Sequence, residues 1–103
     1  NAINPITFKI GEFAVSASSA VTFTAWVKKD HATNVGCGIY VEDEIYNISG
    51  VVADDATAAD NTNWQQLTIT FTPDVDGIVP IYFKSWYIAG NSNTYLGTIS
   101  CTQ

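Results

Sequence analysis

Leu67, Ile69 and Phe71 alternate with Gln66, Thr68, Thr70 and Thr72, a period of two that puts one side of the chain in a core and the other in water. The stretch from Trp64 to Pro73 therefore predicts a half-buried β-strand. Its Thr and Ile residues favour that conformation, and Pro73 with Asp74-Val75-Asp76-Gly77 ends it by removing a backbone donor and supplying turn chemistry. The other apolar segments are strands that cover its buried side, which makes 64–73 the expected organising centre.

Ile6, Phe8 and Ile10 alternate until Gly11 breaks the phase, and Phe13 and Val15 resume it. This predicts two short strands, or one strand kinked by a bulge at Gly11. Val21, Phe23, Ala25 and Val27 point one way and Thr22, Thr24, Trp26 and Lys28 the other, before a polar loop over 29–34. A strand from about Val35 carries Cys37, Ile39 and Val41 into the acidic turn Glu42-Asp43-Glu44, and 45–48 is expected to return as a short strand. Residues 51–63 read as one long loop, with a short helical turn over 53–59 as an option. Val79, Ile81, Phe83, Ser85 and Tyr87 mark the longest strand, with Pro80 near its start or on an unpaired side. Tyr95, Gly97, Ile99 and Cys101 mark the last.

Some seven strands with almost no helix predict an all-β domain spanning 1–103, a two-sheet antiparallel β-sandwich. Long turns between most strands favour jelly-roll topology, in which the chain crosses between sheets, with an immunoglobulin-like sandwich as the alternative. Cys37 and Cys101 do not bracket a Trp in the immunoglobulin manner. Phase consistency predicts an inward set of Phe8, Phe23, Ala25, Val27, Ile39, Val41, Leu67, Ile69, Phe71, Ile81, Phe83 and Ile99.

Composition then narrows the partners. Hydrophobic residues make up 47% and aromatics 13%, so a packed core and not a disordered chain is expected. Four lysines, no arginine and ten carboxylates give a net charge of −6, a field that repels phosphate backbones, so nucleic acid is not an expected partner. No apolar run approaches the ~20 residues of a membrane span, and no membrane insertion is expected. Absent Arg and Met and scarce Lys with abundant Thr, Ser and Asn are associated with an extracellular or particle-surface β protein more than with a cytosolic enzyme. The chain starts at Asn1 and not at Met, which suggests a processed product or part of something longer.

Three pieces, Phe23-Thr24-Ala25-Trp26-Val27-Lys28, Trp64 to Pro73 with Gly77, and Tyr95-Leu96-Gly97-Thr98-Ile99-Ser100, resemble one jelly-roll superfamily. It includes β-glucan- and xylan-binding carbohydrate-binding modules and similar, often tandem, domains of tailed-phage virion proteins. The resemblance covers about 6–103 and rests on fold motifs. It implies a non-catalytic display or attachment module, or alternatively a carbohydrate-binding module recognising a polysaccharide. The implied partners are protein subunits of an assembly, including repeated copies or a homo-oligomer, or a surface glycan. Gly97-Thr98 stands where many relatives carry an Asp pair, so no metal role of that strand is carried over. The N-terminal strand of many relatives is short or missing here. In the resembling topology Cys101 lies near the start of the 21–28 strand and Cys37 beside its end, so the two are expected to stay unbridged.

No catalytic residues are assigned. His31 is the one histidine and lies in a polar loop with no local nucleophile or orienting acid. Glu42 and Glu44 would stand about 7 Å apart on one side of a strand, within glycosidase range, but they flank Asp43 at an apparent turn. No cofactor is expected. Related modules often hold structural calcium, for which Asp74-Val75-Asp76-Gly77, or Asp54, Asp55 and Asp60, would supply oxygens; the first reads as a crossover turn and the second is dispersed. Asn47-Ile48-Ser49 fits a glycosylation sequon. Tyr40, Tyr82 and Trp86 are expected on the outer face of one sheet, interleaved with Lys84 and Glu42, and Trp26 on the outward side of its strand. These four aromatics are the candidate ligand- or partner-binding residues. Trp64 is expected to pack, because its position is structural in the resembling family.

Overall fold

A computed structural model describes residues 6–41, 54–90 and 92–103. Seven strands follow in chain order: β1 (Ile6–Val15), β2 (Val21–Lys29), β3 (Val35–Val41), β4 (Asp54–Thr57), β5 (Gln65–Phe71), β6 (Gly77–Tyr87) and β7 (Thr94–Thr102). They form two antiparallel sheets, one ordered β1-β6-β3-β4 and the other β5-β2-β7. Every connection except β3 to β4 passes from one sheet to the other. This is the jelly-roll manner of winding, and it differs from an immunoglobulin-like order, in which sequence neighbours pair within a sheet.

The apolar phases meet between the sheets. Val21, Phe23, Ala25 and Val27 of β2 face Ile39 and Val41 of β3 and Val79, Ile81 and Phe83 of β6 in one buried cluster, with Leu67, Ile69 and Phe71 from β5. Each Val, Leu, Ile or Phe side chain removed from water there stabilises the fold by about 1.5–3 kcal/mol before entropy is counted. The inward set held except at its rim. Ile99 is half-buried against the cluster, and Val15, Val21, Cys37 and Val79 join it.

The 64–73 stretch is not the centre of the assembly. β5 is an edge strand, and β2 lies between β5 and β7. Strong alternation marks a strand with one wet face, whereas pairing partners leave no trace in a period of two. Residues 54–57 also differ from expectation: Asp54-Asp55-Ala56-Thr57 is strand β4, paired with β3, and not part of a loop or a helical turn. Its ladder to β3 outweighs the helix preference of its single Ala and the low strand preference of its two Asp residues. Residues 42–44 and 45–48, together with the sequon Asn47-Ile48-Ser49, lie outside the described residues.

Two bulges shape the sheets. In β1 the register passes from Lys9 opposite Tyr82 to Gly11 opposite Ile81, leaving Ile10 as the extra residue. The chain thus makes one kinked strand at the glycine where the phase breaks. In β7 the register passes from Ile99 opposite Ala25 to Leu96 opposite Val27, so Gly97 and Thr98 together oppose Trp26.

Phe8 is 53% exposed, against expectation, although its register partner Phe83 is buried. Its phase is inward, but β1 is an edge strand. At that end Ser85 of β6 hydrogen-bonds Thr94 of β7 at 2.9 Å, while Ile6 and Phe8 on the neighbouring edge strand stay uncovered.

The loops at each end of the sandwich are tied by hydrogen bonds. The Ala17 amide donates to Asp76 Oδ1 at 2.7 Å and the Ser18 amide to the Pro73 carbonyl at 2.8 Å, which makes 74–77 the expected crossover turn. The Gln103 side chain accepts from the Ser16 amide and donates to the Ser16 and Ser19 carbonyls. At the other end Lys29 closes β2 as a buried residue and not as part of a polar loop; its ammonium donates to the Ala32 carbonyl at 2.8 Å and to Asp60 Oδ1 at 3.3 Å.

Candidate functional site

The β3–β6 ladder sets Tyr40 opposite Tyr82, Gly38 opposite Lys84 and Gly36 opposite Trp86. All six residues belong to the outer face of the four-stranded sheet. Tyr40 and Tyr82 stack with ring centroids 4.9 Å apart and planes 16° from parallel. Lys84 Nζ lies 5.7 Å from the Tyr40 ring centre and 5.8 Å from that of Trp86, so the cation bridges the tyrosine pair to the indole. The two glycines make this arrangement possible, because β3 presents no side chain there. A β-carbon on Gly36 would fall 2.1 Å from Trp86 Cε2, so the indole rests directly on the strand backbone. Tyr40, Tyr82, Lys84 and Trp86 are each half-buried, forming a continuous aromatic and cationic strip. Glu42, expected to interleave with them, lies outside the described residues.

Trp26 stands on the opposite face of the sandwich, 41% exposed, and is not joined to that strip. It lines a recess of about 230 Å³ with Trp64, Gly97 and Thr98. Trp64 is 48% exposed and is not simply packed away. Its outward parity with Gln66 and Thr68 was the signal in the sequence; the resemblance pointed the other way. The Trp64 indole extends across β2 to the bulge of β7, where a β-carbon on Gly97 would sit 3.1 Å from Trp64 Cζ3 and 3.4 Å from Trp26 Cβ. Lys28 Nζ lies 5.9 Å from the centre of the Trp64 ring.

Some of the groups considered for chemistry make structural contacts, whereas Glu42, Glu44 and the side chains of Asp54 and Asp55 lie outside the described residues. His31 Nδ1 accepts hydrogen bonds from the Thr33 and Asn34 amides at 3.2 and 3.1 Å, which pins the imidazole as the cap of its own turn. Cys37 and Cys101 are both free thiols. Burial pushes the Cys37 thiol up to about 11, opposed by the positive charge of Lys29, and burial also raises that of Cys101. Asp60 is engaged with Lys29 and Asp76 with the Ala17 amide. Among the described residues no three His, Cys, Asp or Glu side chains gather closely enough to hold a metal ion. No protein-family model matches this sequence, and no curated protein is similar to it at a significant level.

Proposed function

We propose that this domain is a non-catalytic β-sandwich module that displays or attaches part of an extracellular or virion-surface assembly, and that its partner is a protein subunit of that assembly. One observation carries the reading: the contiguous strip of Tyr40, Tyr82, Lys84 and Trp86 on the outer face of the four-stranded sheet. The Trp86 ring resting on Gly36 and the mutually stacked tyrosines are pre-ordered, so covering them costs the strip little side-chain freedom, and Tyr and Trp are residue types that anchor protein contacts. The engaged histidine and the thiol held far above neutrality agree with a binding role and not a nucleophilic one.

The test is recovery of the domain with its assembly. Tyr82→Ser combined with Trp86→Ser should leave the strand circular dichroism and a cooperative melt in place while the domain is lost from purified particles. Equal occupancy of wild-type and doubly substituted domain on those particles would defeat the reading.

A further inference from the structure

Strand β1 ends the four-stranded sheet and, among the described residues, pairs only with β6, so its other edge presents backbone donors and acceptors outward. Such an edge is ordinarily defended by a charge or a bulge, and β1 has both: Lys9 and Glu12 stand on either side of the bulge at Ile10-Gly11. The two side chains form an ion pair within the strand, yet each remains about half exposed. The bulge also flips the parity of the strand. Phe8 and Phe13 therefore share the inner face and Lys9 and Glu12 the outer one, although the members of each pair differ by an odd number of positions. On the inner face Ile6 and Phe8 are exposed, whereas Phe13 is half-buried and Val15 buried.

We infer that β1 pairs with β1 of a second copy of this chain, antiparallel about a twofold axis through the bulge, joining the two four-stranded sheets edge to edge. Turned end for end, the strand complements itself. Lys9 falls opposite the partner's Glu12, Phe8 opposite the partner's Phe13, and Ile6 opposite the partner's Val15. Residues directly opposite in an antiparallel pair must share a face, and with the bulge each of these pairs does. A regular strand laid along this edge would fall out of step at Ile10 by one residue, whereas a second copy carries the same extra residue and stays in register. Charge selects the same occupant and direction. The antiparallel copy meets both Lys9 and Glu12 with the opposite sign, and a parallel copy in register would set like against like. The net charge of −6 on each copy opposes association in general, but Ile6–Val15 carries one Lys and one Glu and is itself neutral. The contact shares no residue with the Tyr40–Trp86 strip, so this inference stands apart from the protein-contact reading.

The experiment is sedimentation equilibrium of the intact chain from roughly 10 μM to 1 mM, in ~0.15 M salt to screen the net repulsion. The contact is one strand wide, so the dimer belongs to the weak class, and the average mass should climb from monomer toward dimer across that range. Lys9→Glu and Glu12→Lys each set like charges opposite one another twice and should weaken the dimer ~10-fold or more. Mixed one to one, these two variants meet with opposite signs at both positions and should form a heterodimer. The Lys9→Glu, Glu12→Lys double variant should dimerise within ~3-fold of wild type. Trp86→Ser should dimerise as wild type does, which separates failure of this contact from failure of the strip. A chain that stays monomeric throughout the range overturns the inference. So do single charge variants that dimerise like wild type, or a mixture of the two that stays monomeric. Circular dichroism melts check that each variant folds. Should a charge variant fold poorly, Phe8→Ala carries the test: it should weaken the dimer at least ~3-fold, and an unchanged dimer there overturns the inference as well.

Discussion

The indole of Trp86 lies across the α-carbon of Gly36, its register partner on β3, so closely that a β-carbon there would fall 2.1 to 2.3 Å from Cε2, Cζ2 and Nε1. No rotamer adjustment of a few tenths of an ångström relieves such an overlap. Gly36→Ala must therefore lift the ring from the sheet, and we expect a loss of about 1–3 kcal/mol in urea unfolding with a red shift of tryptophan emission. Gly77→Ala is the control. Nothing lies within 4 Å of its β-carbon, and the change should be neutral or stabilising by up to about 1 kcal/mol. Equal effects at the two positions would mean that Trp86 does not rest on β3.

Phe71 and Phe8 have the same side chain and the same inward phase but different surroundings. Phe71 is 3% exposed in the main cluster, whereas Phe8 sits on the uncovered end of β1. Phe71→Ala should destabilise by about 3–5 kcal/mol through lost burial and a residual cavity. Phe8→Ala should cost less than about 1 kcal/mol. Comparable losses in urea unfolding would place Phe8 in the core.

Lys29 carries the one buried charge among the described core residues, while its partner Asp60 has a side chain 76% exposed. The carboxylate is screened by solvent, so Asp60→Ala should cost about 1–2 kcal/mol and not the larger figure for a fully buried pair. That loss should shrink in high salt. Lys29→Met keeps the length of the side chain and removes the desolvated charge; it should fall within about 1 kcal/mol of wild type. A methionine variant less stable than Asp60→Ala would show that the ammonium is structurally required.

Much of this arrangement was legible as parity. Alternating apolar residues identified the faces of β2, β3, β5 and β6, and the phase break at Gly11 located the first bulge, because Ile10 and Phe13 carry side chains that reveal the slip. The second bulge was silent. Gly97 has no side chain to betray its face, so Tyr95, Gly97, Ile99 and Cys101 looked like one unbroken alternation while the register slipped by a residue. The recess built on that bulge was hidden with it. Coverage was equally invisible: Phe8 has the right phase, but whether a neighbouring sheet extends over it depends on how the two layers cross. The outward parity of Tyr40 and Tyr82 was legible, but the pairing of β3 with β6 that stacks them was a condition that alternation could not supply.

Cys37 couples the core to pH. Its side chain is fully buried, and desolvation raises the thiol from 9.0 to about 11, with the Lys29 charge acting in the opposite direction. Below pH 9 the thiol is protonated in both folded and unfolded chains and contributes no pH dependence. Between 9 and 11 the unfolded chain loses this proton while the folded chain keeps it, so the native state binds more protons and stability falls as pH rises. The full loss is about 2–3 kcal/mol once pH exceeds the folded value. Other groups also titrate in this range, so the measurement is the difference between wild type and Cys37→Ala in urea unfolding at pH 7.5, 9 and 10.5. The alanine variant should start lower because of the cavity and decline less steeply, and Lys29→Met should steepen the decline by removing the charge that favours the thiolate. Alkylation by iodoacetamide at pH 8 gives an independent check: the half-buried Cys101 should react well before Cys37. Parallel pH profiles for wild type and Cys37→Ala, or faster labelling of Cys37, would contradict a buried neutral thiol at this position.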